Sequence, residues 1–185
     1  MKVFAGLLAG LAILGAGAAL WFFEPWAEDG DGDAIDTADL SEEFSGSACR
    51  RMAGLAAKLA ERNRDEADFL RAFGLRAAGI RPPPRAYGDL ARGGRNLITG
   101  KGFLARFDDG SAGQVRHFAG IAVASTFGGG GATRFLSIFV RDDPLRTPDG
   151  QLTEEGIVFA TDVLDGDLAL EETPGWLLEH LCRRK

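Results

Sequence analysis

The sequence predicts a mostly α-helical chain, with an N-terminal transmembrane helix followed by a compact body of five to six helices and a Gly/Pro-rich loop. Residues 3–23 carry no charged side chain. Further along, apolar residues recur at helical spacing, and glycine and proline clusters separate the periodic segments. We therefore divide the chain into a signal anchor at 1–23, an acidic linker at 24–43 and a helical extracytoplasmic domain at 44–185.

The apolar run at residues 3–23 is long enough for a helix to cross a bilayer. A helix rises about 1.5 Å per residue, and the hydrocarbon core is about 30 Å thick. Aromatic residues 21–23 end the run, which is typical of a membrane interface. We therefore expect a retained anchor. The alternative is a signal peptide that is cut near Ala18, which would release the body as a secreted protein.

The charges that flank the run predict its orientation. Lys2 precedes it, whereas residues 24–43 carry nine acidic side chains and no Lys or Arg. By the positive-inside rule, the N-terminus stays in the cytoplasm and the body lies on the other side. We expect a bacterial inner-membrane protein with its body in the periplasm or outside the cell. Gly6 and Gly10 form a GxxxG pair, through which two anchors could associate as a homodimer.

The net charge of −6 is unevenly distributed. Residues 44–185 contain 20 basic and 18 acidic side chains, and residues 50–106 carry 13 of the basic ones against five acidic ones. Either the two halves of the body pack with complementary charge, or a basic face meets an anionic surface. We expect a protein or an anionic envelope polymer as partner, beside the membrane itself. Nucleic acid is not expected, because aromatic residues do not alternate with the basic ones.

The pattern of ligand-type residues predicts neither a metal site nor a cofactor. Two cysteines and two distant histidines lack the paired spacing of zinc ligands. The alternating aspartates at 29–33 resemble the start of a calcium loop. However, an EF-hand would need glycine where Ala34 stands and glutamate where Leu40 stands.

The first two helices of the body follow from apolar spacing and capping residues. From Cys49, apolar residues recur at i, i+3, i+7 and i+10, which predicts a helix that begins near Ser47. A second helix is expected from a cap at Asn63 to Phe73, with Gly74 as its stop.

The middle of the body is divided by proline and glycine. Three consecutive prolines make residues 79–102 mainly loop, with a short helix near 87–91. Residues 114–127 are apolar almost all round from Phe118 onward, which predicts a central helix that the glycines at 128–131 end. A second apolar stretch at 133–141 is either helix or strand.

Two helices are expected to close the chain. Thr153 can cap a helix over about 154–164, which Gly166 would end. Thr173 and the proline that follows it predict the start of a final helix that runs to Cys182.

The chain has two cysteines, Cys49 and Cys182, and each lies on a predicted helix. A body outside the cytoplasm permits a disulfide between them, which would tie the last helix to the first. The alternative is a pair of buried free thiols that pack as small apolar groups.

His117 is the strongest catalytic candidate. It opens the central helix just after Asp108 and Asp109, and an aspartate oriented toward the imidazole would make it a general base. Ser111 and Ser125 are available as nucleophiles, but no GxSxG motif frames either of them. The alternative role for this histidine is a hydrogen bond within the core.

A second candidate site consists of Gly130, Gly131 and Arg134. Glycines before a helix can expose backbone amides, which attract anions. The alternative is a flexible joint between two helices.

Together these features predict a membrane-anchored envelope protein with a helical interaction or structural domain, and they favour a non-enzymatic role without defining its biochemistry. The basic half of the body, or the Gly/Pro-rich region at 79–102, is the expected contact surface. The alternative is an envelope hydrolase that uses His117 with Asp108 or Asp109.

Overall fold

The computed structural model describes residues 44–140, 144 and 146–184. The predicted anchor, its GxxxG pair and the acidic linker lie outside the described residues. Those that are described form six α-helices, two short 3-10 helices and no β-strand, which confirms the mostly helical body. None of the described helices is both long and apolar enough to cross a bilayer. The α-helices are α1 (Ala48–Arg62), α2 (Glu66–Ala78), α3 (Arg85–Ala91), α4 (Gln114–Val140), α5 (Pro148–Asp165) and α6 (Thr173–His180).

Helix α1 begins where the sequence predicts, but α2 does not. The Ser47 side chain caps α1 by accepting from the backbone N–H of the third helical residue. Asn63, the predicted cap of α2, instead donates from Nδ2 to the carbonyl of Leu59 at 2.8 Å. The cap of α2 is Asp65, which accepts from the Asp68 N–H at 2.9 Å. The backbone N–H of Asn63 also donates to the Leu59 carbonyl, so this residue closes the C-terminus of α1 and does not cap α2.

Gly74 lies inside α2, so its prediction as the helix stop is wrong. Helix α2 continues to Ala78 and ends at Gly79, whose φ of 65° is left-handed. At Gly74, a Cβ atom would come within 2.6 Å of the Val123 Cβ on α4. Glycine is therefore required at this position because it lets the two helices approach closely.

Helix α4 consists of two helical segments that fold back on each other at Gly129. This residue has φ 71° and ψ 171°, outside the helical region. The Ser125 and Thr133 hydroxyls lie 3.5 Å apart, whereas eight residues of straight helix would separate them by about 12 Å. The prediction that glycines end the central helix is confirmed in this sense, and the second apolar stretch is helical as far as Val140.

Both segments of α4 pack against α5, and glycines make the approach close. A Cβ at Gly156 of α5 would lie 2.9 Å from the Ile121 Cγ2 in the first segment. A Cβ at Gly130 in the second segment would lie 2.6 Å from the Ile157 Cγ2 of α5. Each isoleucine thus fills the space that the facing glycine leaves.

Helix α5 begins earlier than the sequence suggests. Residues 147–150 form its cap and first turn. The Thr147 hydroxyl accepts from the Gly150 N–H at 3.1 Å, and Pro148 takes the first helical position. Thr153, the predicted cap, therefore lies inside the helix, where its side chain is buried.

A chain of aromatic rings forms the core and connects four helices. Ring centroids lie 6.4 Å apart between Phe73 and Phe118, 5.3 Å between Phe118 and Phe159, and 5.2 Å between Phe159 and Trp176. The tilted and edge-on arrangements are those that aromatic quadrupoles favour. These contacts join α2, α4, α5 and α6 in one apolar cluster.

The Cys49–Cys182 disulfide is confirmed, with a Cα–Cα distance of 5.6 Å. Helix α6 ends at His180 and does not reach Cys182 as predicted. The residues after it leave the helix because they pair with the loop before the first 3-10 helix (Ala105–Phe107). Phe103 and Cys182 form an isolated antiparallel bridge.

Removal of this disulfide is expected to destabilise the body strongly. The bond closes a loop with a sequence separation of 133 residues. In the chain-entropy model, such a loop corresponds to about 4–5 kcal/mol. We therefore expect the Cys49→Ala/Cys182→Ala variant to unfold at a clearly lower urea concentration, measured by circular dichroism. A reducing agent should shift wild type to the same midpoint and leave the variant unchanged. A loss below about 1 kcal/mol would contradict the role of the bond.

Candidate functional site

His117 joins the two central helices of the body. It lies in the first turn of α4, and its Nε2 is 2.8 Å from the Thr153 Oγ1 on α5. Thr153 is buried, and His117 is half-buried beside it. A hydrogen bond in a site with little water is stronger than one at the surface and orients both groups. The imidazole of His117 thus contacts α5, a helix of the core.

Asp108 and Asp109 bind the loop that leads into α4. Asp108 Oδ1 accepts from the Gly110 N–H at 3.0 Å, and Asp109 Oδ1 accepts from the Ser111 N–H at 2.8 Å. Carboxylates that bond to the backbone two residues on are typical of Asx turns. Through these bonds the two aspartates order the loop. Their pairing with His117 stays a prediction.

At the predicted anion site, the guanidinium group of Arg134 is already paired with the carboxylate of Glu154. Arg134 donates from Nε to Glu154 Oε1 at 2.6 Å and from Nη2 to Oε2. The same hydrogen bonds raise the pKa of the Arg134 guanidinium. Gly130 lies in the α4–α5 contact, whereas Gly131 is exposed. Anion binding by these residues stays a prediction, and an incoming anion would compete with Glu154.

The Gly/Pro-rich region at 79–102, here called the contact segment, contains a clamp between Arg81 near its start and Asp89 on α3. Arg81 donates to Asp89 from Nη2 at 2.6 Å, from Nε at 2.8 Å and from its backbone N–H at 3.1 Å. The Arg81 guanidinium, and then its backbone N–H, hold the pKa of the Asp89 carboxyl well below its ordinary value. The fork geometry fixes the loop before α3 in one orientation.

The contact segment exposes two large apolar side chains. Tyr87 on α3 is 48% exposed, and Leu97 in the following loop is 47% exposed. The Tyr87 ring packs at a centroid distance of 6.0 Å from the Phe127 ring, so part of it is supported by α4. Exposed aromatic side chains on a fixed backbone are characteristic of protein contact surfaces.

Two grooves are lined by the described residues. One, of about 510 Å³, lies between the α1–α2 turn and residues 166–171 and carries charges of both signs. The other, of about 330 Å³, lies at the start of α1 and is lined by Ser45, Gly46, Ser47, Arg50, Gly102, Arg183 and Arg184. The sequence analysis missed this second groove. Its signal was available, since Arg50 and Arg183 each follow a cysteine of the predicted disulfide.

The clamp is expected to make stability depend on acid pH. Because the pKa of Asp89 is lower in the folded chain, its contribution is present above pH 3.8 and declines as the pH falls below that value. Asp89→Asn should lower the thermal unfolding midpoint at pH 7, and the difference from wild type should narrow below pH 3.8. Asp167→Asn, at an exposed position, is the matched control. A difference that stays constant between pH 7 and pH 2 would contradict the assignment.

The His117–Thr153 hydrogen bond is testable by a double-mutant cycle. We expect His117→Ala and Thr153→Val to destabilise the body by less together than the sum of their separate effects. The coupling should be about 0.5–1.5 kcal/mol, the usual contribution of one hydrogen bond. Urea unfolding of the four proteins measures it. Strictly additive effects would show that the contact contributes nothing to stability.

No family model, no curated protein and no solved structure matches this chain.

Proposed function

We propose that the chain is a membrane-anchored protein of the bacterial envelope whose helical body is an interaction module that binds through the contact segment. The observation that carries this proposal is the clamp between Arg81 and Asp89, which holds the segment while Tyr87 and Leu97 remain about half exposed. A surface that is rigid before binding loses less conformational entropy when its partner docks. Tyrosine is also among the residues that most often dominate binding energy.

The charge of the contact segment indicates the partner's chemistry. The segment has five basic side chains and one acidic one, Asp89, which Arg81 already neutralises. We therefore propose a protein with an acidic surface as the partner. Exposed Tyr87 and Leu97 favour a protein over a charged polymer, because a polymer of sugars and phosphates offers them few apolar groups.

The expected location of the body, outside the cytoplasm, fits this role. The acidic linker at 24–43 would be repelled by anionic lipid head groups and would extend the body away from the bilayer. A structural disulfide suits an oxidising compartment such as the periplasm. Both features support the proposal that the body lies outside the cytoplasm.

The alternative function is an envelope hydrolase with His117 and Asp108 or Asp109 as catalytic residues. Such an enzyme needs a cleft in which the imidazole reaches a substrate. The His117 imidazole lies against Thr153 between two helices of the core. This contact favours the interaction module.

Site-specific photo-crosslinking in cells tests the contact segment. A photoreactive residue at Tyr87 or at Leu97 of the full-length chain should yield one adduct of discrete mass. The same residue at Leu164, which is 38% exposed on α5, is the matched control and should yield little. With the probe at Tyr87, Leu97→Ala should lower the yield about tenfold, since loss of one central apolar contact costs about 1–2 kcal/mol of binding energy. Leu164→Ala should not.

Three outcomes would overturn parts of the proposal. An equal yield at Leu164 would show that the contact segment has no special role. An adduct with a polymer in place of a protein would overturn the partner's class. The intact mass of the unreduced protein tests the anchor. A mass that corresponds to a chain starting near Ala19 would show that the anchor is removed. The mass of the whole chain less two hydrogens would support a retained anchor and a closed disulfide.

A further inference from the structure

The groove at the start of α1, here called the arginine pocket, is concave and strongly basic. Its seven lining residues include three arginines and no acidic side chain. Two serines and two glycines complete the lining, so hydroxyl and backbone groups lie among the guanidinium groups. Arginines gathered in one groove give it a positive potential, which attracts anions.

Three distant parts of the chain meet at this pocket because of the disulfide and the hydrogen bonds around it. Arg50 follows Cys49, and Arg183 follows Cys182, so the bond between the cysteines brings the two arginines to the same place. The Arg183 N–H donates to the carbonyl of Gly102 at 2.7 Å. The Ala48 N–H donates to the carbonyl of the residue before Gly102 at 2.9 Å. These contacts attach the C-terminal segment and the central loop to the start of α1.

Gly102 is required for the shape of the pocket. Its φ is 116°, a conformation that residues with a side chain rarely adopt. A Cβ atom there would lie 2.3 Å from both Cβ and Oγ of Ser47. Only glycine therefore lets the loop backbone lie directly against the cap of α1.

Arg183 is the arginine of the pocket whose described ion pair an anion can replace. The described partner of Arg183 is Asp108, at 3.7 Å between Nη2 and Oδ2, and the Arg183 side chain is 60% exposed. This ion pair is long and solvated, so an oxyanion can compete with it. The pocket also lies at the N-terminus of α1, a helix of 15 residues, where the helix dipole favours negative charge.

We propose that the arginine pocket binds a phosphate group. A phosphate offers several oxygens at tetrahedral angles, so more than one guanidinium can engage it at once, and charge-assisted bonds of this kind are the stronger ones. The phosphate belongs either to a small soluble molecule or to the head group of a phospholipid. This site is separate from the contact segment and does not depend on the function proposed for that segment.

Phosphorus NMR on the full-length chain in detergent, at constant ionic strength, tests the proposal. Inorganic phosphate is the first probe, and its line width should increase saturably with the wild-type protein. Arg183→Gln/Arg184→Gln should weaken binding about tenfold or more, because two charge-assisted contacts are lost. The matched control is Arg62→Gln/Arg85→Gln, which removes the same charge at exposed positions elsewhere. It should change the affinity by less than about twofold, as expected for distant solvated charges.

A second probe distinguishes the two sources of phosphate. Glycerophosphoglycerol carries the phosphodiester of a lipid head group without its acyl chains. Binding of this diester at least as tight as that of inorganic phosphate assigns the pocket to lipid head groups. Preference for inorganic phosphate assigns it to soluble phosphates.

Dependence on the disulfide provides an independent readout. Cys49→Ala/Cys182→Ala should lose phosphate binding under conditions in which its circular dichroism remains helical, because Arg50 is no longer held beside Arg183. Unchanged binding in Arg183→Gln/Arg184→Gln would overturn the proposal. So would an equal loss in the Arg62→Gln/Arg85→Gln control, which would indicate a response to net charge alone.

Discussion

The Cys49–Cys182 disulfide is the constraint on which the body of this protein depends. It joins the first turn of α1 to the residues after α6, across a sequence separation of 133 residues. Helix α6 has eight residues and would not be stable alone. It persists because the bond and the buried side chains of Leu177 and Leu181 hold it to α1 and the core. The close approach of Gly102 to α1 lies beside the same bond.

The second organising feature is the way in which α4 folds back over α5. Before Gly129, successive residues of α4 contact α5 further along its sequence, as His117 meets Thr153 and Ile121 meets Gly156. After Gly129, the order reverses, as Gly130 meets Ile157 and Arg134 meets Glu154. Glycines set the distance between the helices, and polar pairs lie towards the ends of the contact. His117 and Arg134, both singled out as candidate site residues, therefore also take part in helix packing.

Local chemistry could be predicted from the sequence, whereas contacts between distant residues, apart from the disulfide, could not. Ser47 caps α1 as expected, and the disulfide was expected because the chain has two cysteines and its body was predicted to lie outside the cytoplasm. Gly74 and Gly79 look alike in the sequence, but only Gly79 ends α2. The difference lies in Val123, 49 residues further on, which occupies the space that a side chain at Gly74 would need. The arginine pocket was missed for a related reason, since its residues become neighbours only when the cysteine pairing is combined with the residues that follow each cysteine.

The contact segment and the arginine pocket are held by different kinds of constraint. The Arg81–Asp89 clamp and the bond from the Arg95 N–H to the carbonyl of Ala78, just before the contact segment, join residues close in sequence. The pocket joins the two ends of the body through a covalent bond that a change of redox state can break. Because local contacts survive the opening of a distant crosslink more readily than the junction it closes, the two surfaces need not respond together. The contact surface proposed for the segment is therefore expected to withstand reduction, whereas the proposed phosphate site is expected to require the oxidised chain.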